Sequence, residues 1–551
     1  MSQASSARRS VARGALIALL LSTGATGAYA ADPRDAEIAA MRAQLEALTK
    51  RLNALEAANA AAAMASAEAK ATAEAANAEI IELKIASDAT DAAVTKLAAS
   101  PTVAMSNGRP TFSTTDGRFT ASIRGVLQAD AAMYFQDSAG PISVDLRRGA
   151  GSGDTARARD LNDGANARRA RIGIEGRLFG DFQYNLLYDF GGSGAEDAGR
   201  IHEAWLQYSG FKPLQIRAGA FDPQVSLGAN TSTSGSVFLE RPAPAETIRG
   251  LAAGDYRMAI QALANGDLGG GDTGISAYWL AAGAVTGSTV GTINSSGSVT
   301  NQPFDEQLGF TGRAAVAAFS GANWLAHLGV NGSYVSRPAD AIGPDAAGAR
   351  FPVQFRDRPE LRVDATRLVD SGAINADNAY TAGLEAAVQR GPFLAEGEYF
   401  RFGIDRMGST LSNPSFKAWY AQGSWVLTGE QRVYNRAIGA FDAPRPNFPF
   451  NPAAGAWGAL ELGVRYSVLD LNDNEGTAGS APAANAVRGG EQSIWTVGLN
   501  WYMNPSVRLM FDFQNVEIDR LSPNATTFVT PVGAQIGQEY QVVSTRLQLA
   551  F

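Results

Sequence analysis

The stretch at residues 117–135, GRFTASIRGVLQADAAMYF, alternates from end to end. One face carries Phe119, Ala121, Ile123, Gly125, Leu127, Ala129, Ala131, Met133 and Phe135. The other carries Thr120, Ser122, Arg124, Val126, Gln128, Asp130 and Tyr134. A period of two places successive side chains on opposite faces of a β-strand, so this reads as one long amphipathic strand. DFQYNLLYDF at 181–190 repeats the pattern, and so does the C-terminus, where Val543, Leu547, Leu549 and Phe551 oppose Ser544, Arg546 and Gln548.

About sixteen such segments follow one another. They lie near 117–135, 168–179, 182–190, 200–209, 214–221, 255–264, 274–286, 306–319, 324–336, 378–389, 392–403, 416–428, 456–471, 491–503, 506–518 and 539–551. Some connections are tight (LFGDFQ, SGFKPL, QRGPF, MNPSV). Others, at 136–167, 222–254, 337–377, 429–455 and 472–490, are long and polar. Aromatic residues gather near strand ends, as in EAWLQY and IWTVGLNWYM. Tight turns at one end, long loops at the other and aromatic girdles describe a transmembrane antiparallel β-barrel of an outer membrane. The main alternative is a secreted β-sandwich or β-helix. The glycine-rich GDLGGGDTG at 266–274 occurs once, whereas a repeat stack needs at least three.

The N-terminal part differs. Arg8, Arg9 and Arg13, then GALIALLLSTG, then small residues Ala28 and Ala30 predict an export signal over 1–30. No later apolar run is long enough for a transmembrane helix. Residues 31–98 are rich in Ala, Glu and Leu, with Ile38, Leu45 and Leu52 at heptad position a and Met41, Leu48 and Leu55 at d. This predicts an α-helical coiled coil in the periplasm, with a single solvated helix as the alternative. Fully helical, 35–98 would reach roughly 96 Å at about 1.5 Å per residue. Residues 99–116 read as a linker before the barrel at 117–551.

Composition excludes several activities. The chain has 551 residues, no cysteine, two histidines and a net charge of −8. The acidic balance argues against nucleic acid as a partner. HExxH, GxSxG and GxxxxGK[ST] are all missing, so no enzyme activity, metal or cofactor is expected.

Several blocks, taken in order, resemble the phosphate-selective porins O and P. They are IRGVLQAD, ARRARIGIEG, HEAWLQYSGFKPLQIRAGAFD followed by STSGSVFLERP, AYTAGLEAAVQRGPFLAEGEYFR, LTGEQRVYNR, RYSVLDL and GLNWYMNPSVRLM. The resemblance implies a sixteen-stranded homotrimeric barrel in outer-membrane lipid, with no enzymatic activity, that passes small anions such as phosphate. It implies inward-folded loops, an arginine ladder leading to a constriction, and lysines on the periplasmic side. Arg168 and Arg169 match the paired constriction arginines, and Arg241 closes the third-loop block. Arg356 and Arg358 match part of the ladder in the fifth loop, where two further positions fall on Glu360 and Asp364. The sequence departs at other constriction positions. His202 stands for an aspartate, Asp222 and Arg171 for tyrosines, and Ala229 for a lysine. Lys212 and Lys417 are the only lysines after residue 100.

On strand parity Arg169, Arg171, Gly173 and Glu175 face the lumen, while Ala170, Ile172, Ile174 and Gly176 face lipid. Arg168 falls on the lipid parity, which predicts that it sits at a strand end, since charge facing lipid costs about 2–4 kcal/mol at mid-bilayer. These arginines either line the pore or pair with carboxylates to brace an inward loop. Arg124, Arg217 and Arg546 read as generic lumen residues. The expected function is passive diffusion of small anions past an arginine-lined constriction. The alternative is a general-diffusion porin whose coiled coil tethers the outer membrane to peptidoglycan.

Overall fold

A computed structural model describes residues 33–98, 101–106, 108–136, 161–191, 199–252, 257–270, 275–289, 307–321, 323–338, 352–523 and 532–551. The expected export signal lies outside these. The chain divides into two units, Met1–Ala98 and Ala99–Phe551. In the first, helix α1 (Pro33–Ala98) is a single element. Its composition, mostly alanine with straight-chain residues, favours that state. No helix among the described residues is long and apolar enough to cross a membrane.

The second unit is a closed antiparallel barrel of sixteen strands. They are β1 (Thr120–Gln136), β2 (Gly164–Leu178), β3 (Phe182–Asp189), β4 (Arg200–Phe211), β5 (Leu214–Ala220), β6 (Arg257–Gly270), β7 (Ile275–Thr289) and β8 (Leu308–Ser320), then β9 (Trp324–Arg337), β10 (Ala376–Arg390), β11 (Phe393–Arg406), β12 (Ser415–Val426), β13 (Ala459–Asp473), β14 (Val487–Tyr502), β15 (Val507–Asp519) and β16 (Glu539–Ala550). Each expected segment overlaps one of them. β16 closes onto β1, with Leu549 opposite Leu127 and Arg546 opposite Asp130. Alternation holds as expected: in β10, Tyr380, Leu384 and Val388 are exposed on the outer wall while Thr381, Glu385 and Gln389 are buried within.

Two features differ from the sequence reading. The expected linker over 99–116 contains a hairpin, Thr102–Ser106 with Arg109–Ser113, whose second strand pairs onto the start of β1. It continues the edge that β16 occupies, just past Phe551. The long polar segment expected at 429–455 lies in the connection 427–458. The strand count instead puts it at the same end as the tight turns after β2, β4 and β10, because it follows an even-numbered strand. It is long because it enters the lumen. Arg313 donates to the Ile438 and Gly439 carbonyls at 2.6 and 2.7 Å, and Arg432 donates to Glu461 at 2.8 Å.

From the opposite end, the third loop (221–252, after β5) and the fifth loop (352–375, after β9) also turn inward. Their apolar residues pack on an apolar patch of the inner wall. Ile248, Leu251, Phe355 and Leu368 join Phe400, Phe402, Phe416 and Leu469 in one core. The Phe355 ring lies 4.8 Å from that of Phe402. Burying a phenylalanine side chain contributes about 1.5–3 kcal/mol, so a few such anchors hold the loops against the wall. Their polar residues are left to meet the polar wall of β1, β2 and β16.

Candidate functional site

The paired arginines owe their placement to a bulge. Gln128 of β1 pairs with Arg169, but Ala129 pairs with Ala167, so Arg168 is an extra residue in β2. Arg168 therefore does not sit at a strand end as expected; β2 runs four residues further, to Gly164. A bulge re-aims a side chain, and here both Arg168 and Arg169 point inward while Ala165 and Ala167 stay on the outer parity. β4 repeats the device. Glu203 pairs with Leu187 and Ile201 with Tyr188, which leaves His202 as the extra residue, buried inside.

Both bulge arginines meet Glu240 of the third loop. Arg168 Nε donates to it at 2.7 Å and Arg169 Nη2 at 3.2 Å. Arg546 of β16 donates to the same carboxylate at 2.7 Å and to both oxygens of Asp130 at 2.6 Å. It also bonds the Leu239 carbonyl. Three guanidiniums thus converge on one acid. Burial alone would push Glu240 up, but Arg168, Arg169, Arg546 and Arg362 hold it well below the usual carboxylate range.

The next residues extend the network. Arg241 lies 3.7 Å from Glu246 and donates to the Thr231 carbonyl at 3.3 Å. Arg362 of the fifth loop donates to Glu246 at 2.6 Å. Asp222 accepts from Arg249 at 2.6 Å. Arg171 is paired across the wall with Asp189 at 2.7 Å, so its charge is compensated on its own sheet. His202 lies 4.0 Å from Glu203.

Besides Arg362, the fifth loop carries Arg356, Arg358 and Arg367. Arg358 is buried and donates to the Ala365 carbonyl at 3.1 Å. Burial first, then Arg362 and Arg367, push it down to about 9, so it stays charged at neutral pH. Burial and Arg356 likewise lower Arg367, to about 10. Asp357 is buried beside them, and that burial pushes it up to about 6. Glu360 ties the loops together. It accepts from Arg465, from Ser467 Oγ at 2.7 Å, and from the Ala243 amide at 3.1 Å, where the third-loop helix begins.

At the turn end of the barrel, Arg109 from the N-terminal hairpin pairs with Glu175. Arg124 lies 3.5 Å from Glu175 and 3.9 Å from Glu203. Arg217 stacks over Trp205 at 4.0 Å. Glu240, Arg362, Arg367 and the converging role of Arg546 were missed by the sequence reading. The signals were present: Arg362 and Arg367 lie in the same arginine-rich stretch as Arg358, and Arg546 has lumen parity on the closing strand.

Known proteins resemble this chain. Residues 144–551 match the family described as phosphate-selective porin O and P. Porin O of Pseudomonas aeruginosa is 26% identical over 428 residues, covering 75% of this chain and 86% of that relative. An uncharacterized protein of Caulobacter vibrioides is 27% identical over 495 residues, covering 88% and 85%. Among solved structures, an anion-selective porin from Comamonas acidovorans aligns over 79% of this chain and 100% of its own, at 13% identity and a TM-score of 0.42. By its sequence match, the chain belongs to the phosphate-selective porin O and P family and is an outer-membrane channel, not an enzyme.

Proposed function

We propose that the protein passes small oxyanions, phosphate and polyphosphate among them, by passive diffusion past an arginine-rich constriction built by the third and fifth loops. The cluster on Glu240 carries this reading. Among the described residues, Arg168, Arg169, Arg241, Arg249, Arg362 and Arg546 gather on Asp130, Asp222, Glu240 and Glu246, with three of these guanidiniums on Glu240 alone. Arg168 and Arg362 keep 12% and 10% of their side chains exposed, enough to meet an ion. Charge at a narrow point sets sign selectivity, and binding must stay weak enough for release. The guanidinium fork matches two oxygens of phosphate or carboxylate at once. Glu240 keeps that fork partly occupied, so each contact is shallow. The fifth-loop arginines would hand an ion from one partner to the next.

The test is reversal potential across a salt gradient in planar bilayers, followed by block of chloride current by phosphate, pyrophosphate and dicarboxylates. Cation preference would refute the reading. Strong phosphate block would mark a phosphate channel, and uniform weak block a general anion porin.

A second reading concerns α1. Leu45 and Leu48 are 68% and 66% exposed on the lone chain, as are their heptad neighbours. Such an apolar stripe fits a parallel coiled coil of three copies, with peptidoglycan as the further partner. Leu45→Cys, in a chain without other cysteines, should cross-link copies of the protein. Deleting 35–98 should abolish wall pull-down while leaving conductance intact.

A further inference from the structure

The outer wall carries an arrangement the pore does not use. On β11 and β12, Arg401 and Lys417 stand directly opposite each other with outward parity. Like charges at paired positions are unfavourable. Lys417 is 57% exposed, and Asp470 of β13 approaches it at 3.5 Å. Glu491 and Asp519 continue the row beyond Asp470. Arg401 reaches Ser415 Oγ at 3.2 Å. Both cations lie near the loop end of their strands.

One step toward mid-membrane, about 7 Å along each strand, Tyr399 faces Trp419. Trp419 packs on Tyr466 at 5.4 Å, and Tyr466 on Trp495 at 4.5 Å. This is an interfacial aromatic band. Beneath it the wall sinks into a depression of about 740 Å³, floored by Ala386, Ala395, Gly397, Ala421 and Gly423. The stacked pair Phe393 and Trp425 marks the other interface, eight residues from Lys417 along β12. At about 3.3 Å per residue and the usual strand tilt, that interval covers roughly 20 Å along the membrane normal, most of an apolar band about 25 Å tall.

The geometry points to a lipid site on this face: Arg401 and Lys417 hold the phosphate of a phosphorylated outer-leaflet glycolipid, and its acyl chains fill the depression below the aromatic band. Charge selects the occupant at the Arg401 side of the pair, since Asp470 already compensates Lys417 in part. A lipid phosphate between the two cations relieves their mutual repulsion, and the chains cover apolar surface that small residues leave concave.

The test compares detergent-solubilised full-length protein with Arg401→Ala/Lys417→Ala and with Ala421→Trp for binding of lipid A and of dephosphorylated lipid A. The double variant should lose roughly thirtyfold in lipid A affinity, at a factor of about five per cation, and lose the preference for the phosphorylated form. Ala421→Trp should weaken both lipids. Reversal potentials should match wild type, since none of these residues faces the lumen. Undiminished lipid A binding in the double variant would overturn the proposal. So would disulfide-linked copies of Ala421→Cys in native membranes, which would place a second copy of the chain here.

Discussion

Replacing Glu240 by glutamine tests the proposed constriction most directly. The change keeps the side chain's shape and one acceptor for Arg168, Arg169 and Arg546, but removes the charge they share. An oxyanion held on the Arg168 fork would lie about 6 Å from that lost charge. Repulsion between two unit charges at this distance is about 0.7 kcal/mol at the dielectric of water and about 2.8 kcal/mol at an effective value of 20. Glu240→Gln should therefore tighten phosphate binding by about threefold to a hundredfold, with the lower figure favoured by a water-filled pore. Single-channel recording in chloride with added phosphate reads this as a lower blocking concentration and longer blocked intervals. Conductance in phosphate alone should fall as the site deepens. Limited proteolysis must first show the third loop still protected. Unchanged or weaker block with the loop in place would refute the view that Arg168 meets the permeant ion.

Other expectations follow from the same contacts. Arg546→Met leaves Asp130 and Glu240 buried beside a missing partner, and should destabilise the barrel by about 3–5 kcal/mol, seen as unfolding at lower denaturant. Arg171→Tyr alone should leave Asp189 uncompensated and cut anion preference, whereas Arg171→Tyr with Asp189→Asn should restore it; reversal potentials of the full cycle decide. Asp357 should gain its proton as pH falls through about 6, while Glu240 stays ionised. Anion preference should then rise modestly from pH 8 to pH 5, and Asp357→Asn should remove that change.

The barrel was legible because its signal is local and redundant. An outward apolar residue at every second position, repeated sixteen times, survives errors in any one strand. The interior was less legible because its rules are not periodic. Parity assigned Arg169, Arg171 and Glu175 to the lumen but misplaced Arg168, since a bulge changes parity without changing composition. The connection 427–458 resembles any long polar loop until Arg313 and Glu461 are seen to bind it from the wall. Glu240 and Arg546 are 306 residues apart, and only the inward turn of the third loop toward the closing strand brings them together. The resemblance located the Leu239–Glu240–Arg241 block, but with attention on the arginine. The carboxylate beside it gathers the three guanidiniums.

The two bulges have a consequence for how the proposed constriction can vary by descent. Arg168 and His202 are supernumerary, since the ladders on either side are in register without them. Loss of the single codon for Arg168 would join Ala167 to Arg169 in an unbroken ladder and move no lipid-facing side chain. The number of charges at the proposed constriction is therefore set by strand length as well as by residue identity. A one-residue insertion or deletion, ruinous elsewhere in a barrel wall, becomes here a way to retune a channel in a single step.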